Sequence, residues 1–261
     1  MNPPRNLLFV CATPLESTAL GLDGSLKTGF YPDLLGAGKS LLITGVGLTA
    51  TAYLLGKILS TSSFDGAINF GVAGAFDLSI PLGATVEVIT DEFADLGAES
   101  NDDFISLFEM KLQSENEVPF SNGKLVPMGE WKNIGNLPKV NGASVNTVHG
   151  NAQSIVNFKR RSNAQIETME GAAFFYACAM AGVDSLQVRS ISNYVEPRKK
   201  RKFEVRGSYS VIIDLFETVF FLTQMMQLIF FISVVCDSHI SILITFLVRG
   251  EAHLLNFEIC K

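Results

Sequence analysis

The chain has 261 residues, a formal net charge of −6 and four cysteines. That length gives room for one large domain, or for one domain and a tail. The acidic balance argues against nucleic acid as a partner, and the short basic cluster from Arg198 to Lys202 reads as a solvated loop. Cys11, Cys178, Cys236 and Cys260 have no CxxC spacing and no histidine beside them. No metal site or disulfide framework is therefore expected, and reduced thiols in the cytoplasm are the simplest reading.

The first apolar stretch, "RNLLFVCA", lacks the length and flanks of a signal peptide and suits a buried first strand. Five more short apolar runs follow: "LLIT", "GAINFG", "TVEVIT", "SVNTV" and "SLQVRSI". Their β-branched content and their Gly or polar endings predict strands. Between them "LTATAYLLGKILS", "NAQSIVNFKRR" and "EGAAFFYACAMAG" predict helices, the last capped by Gly182. Residues 94–135 are less regular and suggest excursions or lid-like elements.

Strands that are apolar on both faces and alternate with helices predict a single α/β domain. Its central sheet should be mixed, mostly parallel, and covered by helices on both sides. Sites in such sheets form where the strands deliver their C-terminal loops. That singles out "ATPLE", "TGVG", "FGVAGAFD", "TVHGN" and "SNYVEPR".

The segments "ITGVGLTATAYLLGK", "INFGVAGAFDLSIPLGATVEVITDEFADLGAE", "VNTVHGN", "IETMEGAAFFY" and "ISNYVEPR" resemble the nucleoside phosphorylase and nucleosidase superfamily. Within it they most resemble the futalosine hydrolases, nucleosidases of an alternative menaquinone route. The resemblance runs from about Leu7 to Arg198, so residues 1–198 are expected to form a nucleosidase domain. It implies hydrolysis of the N-glycosidic bond of futalosine, with release of hypoxanthine and no cofactor or metal. It also implies a homo-oligomer, a dimer or larger.

The resemblance carries roles residue by residue. Glu170 matches the glutamate that accepts hydrogen bonds from ribose hydroxyls, and Met169 the adjoining sugar-face contact. Glu16 matches the carboxylate that orients the attacking water, although Pro14 departs from the family's pattern. Asn193 stands where adenine-specific relatives carry Asp. A carboxamide can hydrogen-bond to N7 and donate to a 6-oxo group but cannot give up a proton, which favours hypoxanthine as the leaving base. Gly45 and Gly47 allow close backbone approach to a ligand, while Phe76 and His149 are further pocket candidates. Without the resemblance, each of these has an ordinary reading as a turn, cap or core residue.

A phosphate nucleophile needs a cationic cradle. No arginine lies between Arg5 and Arg160, so water is the expected nucleophile, and Arg189 is read as a structural partner near its strand end. Two other functions compete. One is a non-catalytic nucleoside-binding relative, which would be expected to lack a carboxylate. The other is a different purine nucleosidase, such as one acting on methylthioadenosine or S-adenosylhomocysteine.

Residues 199–261 read differently. From Val211 to Val248 only Asp214, Glu217 and Asp237 are acidic or basic by default, and Gly and Pro are absent. The uncharged run 218–235 reaches the lower edge of a membrane-spanning length. Membrane association is expected only if this hydrophobic tail is genuine. Codons exist for which residues 200–214, read in another frame, restore the Ile-Pro-Leu segment expected to open a final helix. A shifted frame after about Arg198 is therefore the preferred expectation.

Overall fold

The computed structural model describes residues 6–100, 103–129, 131 and 137–198, together with the backbone of 240–248 and 251–259. Two compact units divide at Leu215 and Phe216.

In the first unit, β1 (Leu7–Cys11) leads through the short helix α1 (Pro14–Ser17) to β2 (Gly29–Tyr31) and β3 (Lys39–Ile43). Next come α2 (Leu48–Thr61), β4 (Gly66–Ala75), β5 (Thr85–Thr90) and the strands β6 (Gly97–Ser100) and β7 (Asp103–Ser106). The remainder is β8 (Lys139–Ser144), α3 (Ala152–Arg161), β9 (Ile166–Thr168), α4 (Gly171–Ala181) and β10 (Asp184–Tyr194).

The sheet is mixed. Strands β3, β1, β4 and β10 pair in parallel, as do β5 with β8 and β8 with β9. Antiparallel pairs join β2 to β3, β10 to β5 and β4 to β9. The mixed pairing is as expected from the sequence, and the sheet also closes on itself. β10 pairs with β4 along Asp184–Tyr194, and β9 takes β4's other edge at Gly74 and Ala75, beyond the point where β1 stops. The strands β4, β10, β5, β8 and β9 thus close into a ring.

The elements follow from local chemistry. β1 and β3 are buried almost throughout, as interior parallel strands require. α2 buries Leu48, Thr51 and Leu55 on one stripe and packs against α4. α4 is buried along most of its length, from Gly171 to Cys178, and ends as expected at Gly182, which adopts φ 67°. Phe174 and Phe175 are fully buried there, each contributing about 1.5–3 kcal/mol of transfer free energy.

One strand expected over 144–148 lies earlier, at Lys139–Ser144. Its polar and glycine residues hide it from a hydrophobicity pattern, because Asn141 is spent on a side-chain bond from Thr90. The irregular stretch contains the β6–β7 antiparallel pair.

In the second unit, β11 (Ile240–Val248) and β12 (Glu251–Ile259) form an antiparallel pair in continuous register. The uncharged run 218–235 and the proposed frame junction lie outside the described residues. Among the described residues, no helix is long and apolar enough to cross a membrane.

Candidate active site

The C-terminal ends of β1, β3, β4 and β10 point the same way, and the candidate residues gather there. Thr13 caps α1, and Pro14 sits in its first turn, where a missing N–H costs nothing. Glu16 completes a capping box, yet it is only 5% exposed. Its Oε2 accepts from the Ala12 and Thr13 amides at 3.0 and 2.9 Å and from the Thr13 hydroxyl at 3.1 Å. Its Oε1 accepts from the Val72 amide at 3.3 Å.

Glu170 begins α4 but does not cap it with its side chain. Instead its Oε1 accepts from the Gly47 amide at 3.0 Å, a residue 123 positions away. Gly47 adopts φ 101°, a left-handed conformation that suits glycine, and so turns its N–H toward the carboxylate. The "TGVG" and "TME" loops are thereby joined.

Arg189 lies within β10 and is 1% exposed. Its Nε donates to Gln187 Oε1 at 3.0 Å, and its Nη2 donates to Asn69 Oδ1. Asn69 in turn donates to the Val10 carbonyl at 3.0 Å. A Cβ at Gly71 would stand 2.4 Å from Glu16 Oε1 and 2.7 Å from Arg189 Nη1. Glycine there lets carboxylate and guanidinium converge over β4. Burial pushes the Glu16 carboxyl above its usual range; the Glu170 charge pushes the same way and Arg189 opposes it.

Asp91 follows β5 and is fully buried. It accepts from Gln187 Nε2 at 3.1 Å, from the Ser144 hydroxyl at 3.0 Å and from the Glu92 amide at 2.8 Å. Burial pushes its carboxyl up to about 6, against the pull of Gln187, Ser144, Arg189 and Lys124. A folded-state pKa above the unfolded value favours folding at low pH, and that contribution disappears as pH rises through about 6. Between pH 4 and 7, Asp91→Asn should therefore gain thermal stability relative to the unmodified chain. Parallel melting curves across that range check the sign, and a difference independent of pH would contradict the burial effect.

The remaining candidates divide. Asn193 is exposed at the end of β10, beside a bulge, with its Nδ2 on the Tyr194 carbonyl and its Oδ1 accepting from Ser192. Met169 and Gly45 are half-buried in the loops that carry Glu170 and Gly47. Phe76 is buried beside Phe158 and His149, at centroid distances of 5.0 and 5.7 Å. His149 Nδ1 lies 2.6 Å from Glu167 Oε2, so its described partner is Glu167. A separate open cleft of about 320 Å³ includes Phe76, Lys159 and Gln165 in its lining and neither Glu16 nor Glu170. No group of acidic, histidine or cysteine residues suited to a metal occurs among the described residues.

Arg189 takes a larger place in this geometry than its sequence position suggested, and Asp91 and Gln187 were not singled out. The available signal was a lone Arg in an apolar strand with Gln two residues before it, on the same face.

The fold is that of the nucleosidases. The chain superimposes on a Helicobacter pylori methylthioadenosine nucleosidase variant holding 5′-methylthioadenosine with a TM-score of 0.64 at 15% identity, covering 84% of this chain and 98% of that one. Helicobacter pylori futalosine hydrolase gives 0.64 at 15% identity, over 82% and 97% of the two chains. In sequence the chain is similar to futalosine hydrolases. That of Thermus thermophilus is 29% identical over 182 residues, 69% of this chain and 80% of the relative. That of Acidothermus cellulolyticus is 28% identical over 212 residues, 80% of this chain and 86% of the relative. No family profile matches the chain.

Proposed function

We propose that the chain is a nucleosidase that hydrolyses the N-glycosidic bond of futalosine, releasing hypoxanthine in menaquinone biosynthesis. The sequence relatives supply the substrate. The observation that carries the chemistry is the convergence of Glu16 and Arg189 over Gly71, with the Glu170 charge near enough to raise the Glu16 carboxyl, each of the three at most 6% exposed.

Hydrolysis passes through a ribosyl cation-like transition state, so negative charge beside the sugar lowers the barrier. Glu170 accepts from the ribose hydroxyls and supplies that charge, with Met169 against the sugar. As the C1′–N9 bond breaks, its electron pair moves to the base. Asn193 donates a hydrogen bond to N7 or the 6-oxo group, and the departing purine takes its proton from solvent, to which Glu16 later returns the one it accepted. Glu16 orients the water and takes its proton as oxygen bonds to C1′, while Arg189 steadies Glu16. Gly45 and Gly47 admit the substrate. Phe76, which lines the separate cleft, and His149, which pairs with Glu167, take no reacting role. No metal or organic cofactor is required for these steps.

Purified full chain should release hypoxanthine from futalosine at the same rate with and without phosphate, as read by chromatography. Phosphate-dependent turnover would overturn hydrolysis. Faster cleavage of an adenine nucleoside would move the assignment to a methylthioadenosine-type enzyme, and binding without turnover would make the chain a nucleoside-binding relative. Because Glu16 must be ionised, activity should fall as pH drops through its raised pKa, above the ordinary carboxylate value near 4.5. An initial-rate profile from pH 4 to 9 checks this; full activity at pH 4 would remove Glu16 from the proton-accepting role.

A cytoplasmic site of action and a homo-oligomeric state fit the proposal. Cys11 and Cys178 are buried free thiols, and burial pushes both upward, so they remain protonated and unreactive. The proposed nucleosidase domain is residues 1–198. Sequencing gene and transcript across the codons for 198–214 tests the shifted frame, and an unbroken frame in both would reject it.

A further inference from the structure

We propose that Asp91 is a positioning residue for the reaction, holding Gln187 in the one amide orientation that fixes Arg189 against Glu16. The proposal rests on the roles given above to Glu16 and Arg189. Its basis is a continuous buried chain from Asp91 through Gln187 and Arg189 to Asn69 and the Val10 carbonyl.

Each link has one sense. An ionised carboxylate only accepts, so Gln187 must turn its NH2 toward Asp91. Its carbonyl oxygen then faces Arg189 Nε, which only donates. A protonated Asp91 could instead donate to the Gln187 oxygen. The amide would be free to reverse and set its NH2 against the Arg189 N–H, and the guanidinium would lose that acceptor.

The surroundings favour the ionised form without replacing this role. From β10, the charged group facing Asp91 is Arg189, with Gln187 between them; from the segment before β8 it is Lys124. Lys124 itself pairs with Glu92. β8 contributes the Ser144 hydroxyl, which also takes the Ala172 amide of α4 and meets the Thr168 hydroxyl of β9. The start of α4 lies directly over the pair: a Cβ at Gly171 would stand 2.2 Å from Asp91 Oδ2 and 2.3 Å from Gln187 Oε1. A helix N-terminus stabilises a carboxylate. Burial opposes all of these and pushes the Asp91 carboxyl up to about 6, so Arg189 should lose its fixed orientation as the pH falls below that value.

The test uses the full chain and futalosine. Asp91→Asn keeps the shape but lets either amide orientation form. It should lower kcat by about 10- to 100-fold, the scale of a small misplacement of a reacting group, with KM nearly unchanged. Its kcat–pH profile should lose one proton from the acid limb. Gln187→Met should give a similar loss, and combining the two should cost little more than the worse single change, as expected for residues in one chain of contacts.

Unchanged kcat and pH profile in Asp91→Asn would overturn the proposal, as would losses that multiply in the double variant or a rise in KM that accounts for the whole loss of kcat/KM. If Asp91→Asn does not fold, Gln187→Met decides, and wild-type kcat in that variant overturns it. Hydrolysis that is lost in Glu170→Gln but indifferent to Asp91→Asn would sink only the positioning role. No hydrolysis by the unmodified chain would overturn the site assignment and this proposal together.

Discussion

Glu170→Gln should lower kcat for hypoxanthine release by about 10²–10³, or roughly 2.7–4 kcal/mol of barrier, the range found when one preorganised electrostatic group is removed. Glutamine has nearly the same shape, and its carbonyl oxygen can still accept the Gly47 amide that now bonds to Oε1. The connection between the two loops should persist, so melting temperature should change little. What disappears is the charge beside the developing cation, in a site only 6% exposed at this residue. KM should rise less than kcat falls, because the charge acts most strongly in the transition state.

A second effect accompanies the first. The Glu170 charge helps to hold the Glu16 carboxyl above its usual range. Removing that charge lowers the Glu16 pKa, so the acid limb of the residual activity should move to lower pH. Steady-state rates with wild type and variant across pH measure both effects. An unchanged kcat would take Glu170 out of the site, and a lowered kcat with an unmoved acid limb would uncouple the two carboxylates.

Glu16 and Glu170 were legible in the sequence only through the motifs that resemble the nucleosidases; the capping box at the end of β1 and the bond from Gly47 to Glu170 came with the structure. The strands β1, β3, β4, β5 and β10 were legible as continuous apolar runs, since interior strands bury both faces. β8 was less so. Gly142 is needed because a Cβ would meet Val88 at 3.0 Å and Asp91 at 3.1 Å, and neither that crowding nor the Thr90–Asn141 bond shows in a hydrophobicity pattern.

Ring closure was hidden for a related reason. It depends on β9, three residues long, which is too short for any period to declare itself. Arg189 was seen, but its partners lie on other strands: Asn69 on β4 and, through Gln187, Asp91 after β5. A single sequence reports local pattern well, whereas a buried polar chain is assembled from residues tens of positions apart.

Gly71→Ala should reduce activity by more than about 10²-fold, since small displacements of reacting groups carry losses of that order. The added methyl would stand 2.4 Å from Glu16 Oε1, 2.7 Å from Arg189 Nη1 and 3.1 Å from Glu16 Cδ. Those distances are far inside ordinary contact, so carboxylate, guanidinium or strand must move. Neither side group can move cheaply. Glu16 is tied to the Ala12, Thr13 and Val72 amides, and Arg189 to Gln187 and Asn69. The cost in stability should be about 1–3 kcal/mol, as for other overpacked interiors.

Gly56→Ala supplies the contrast. Gly56 lies within α2, and a Cβ there meets nothing within 4 Å. That substitution should raise stability by about 0.5–1 kcal/mol, because glycine loses more backbone entropy than alanine in a helix, and should leave kcat alone. Combining Gly71→Ala with Glu16→Asp then separates space from chemistry. The shorter carboxylate retreats from the new methyl, so urea unfolding should show stability partly restored, while activity stays low because the carboxylate no longer reaches the water. Wild-type activity in Gly71→Ala would show that Glu16 and Arg189 need not converge over β4 for the reaction to proceed.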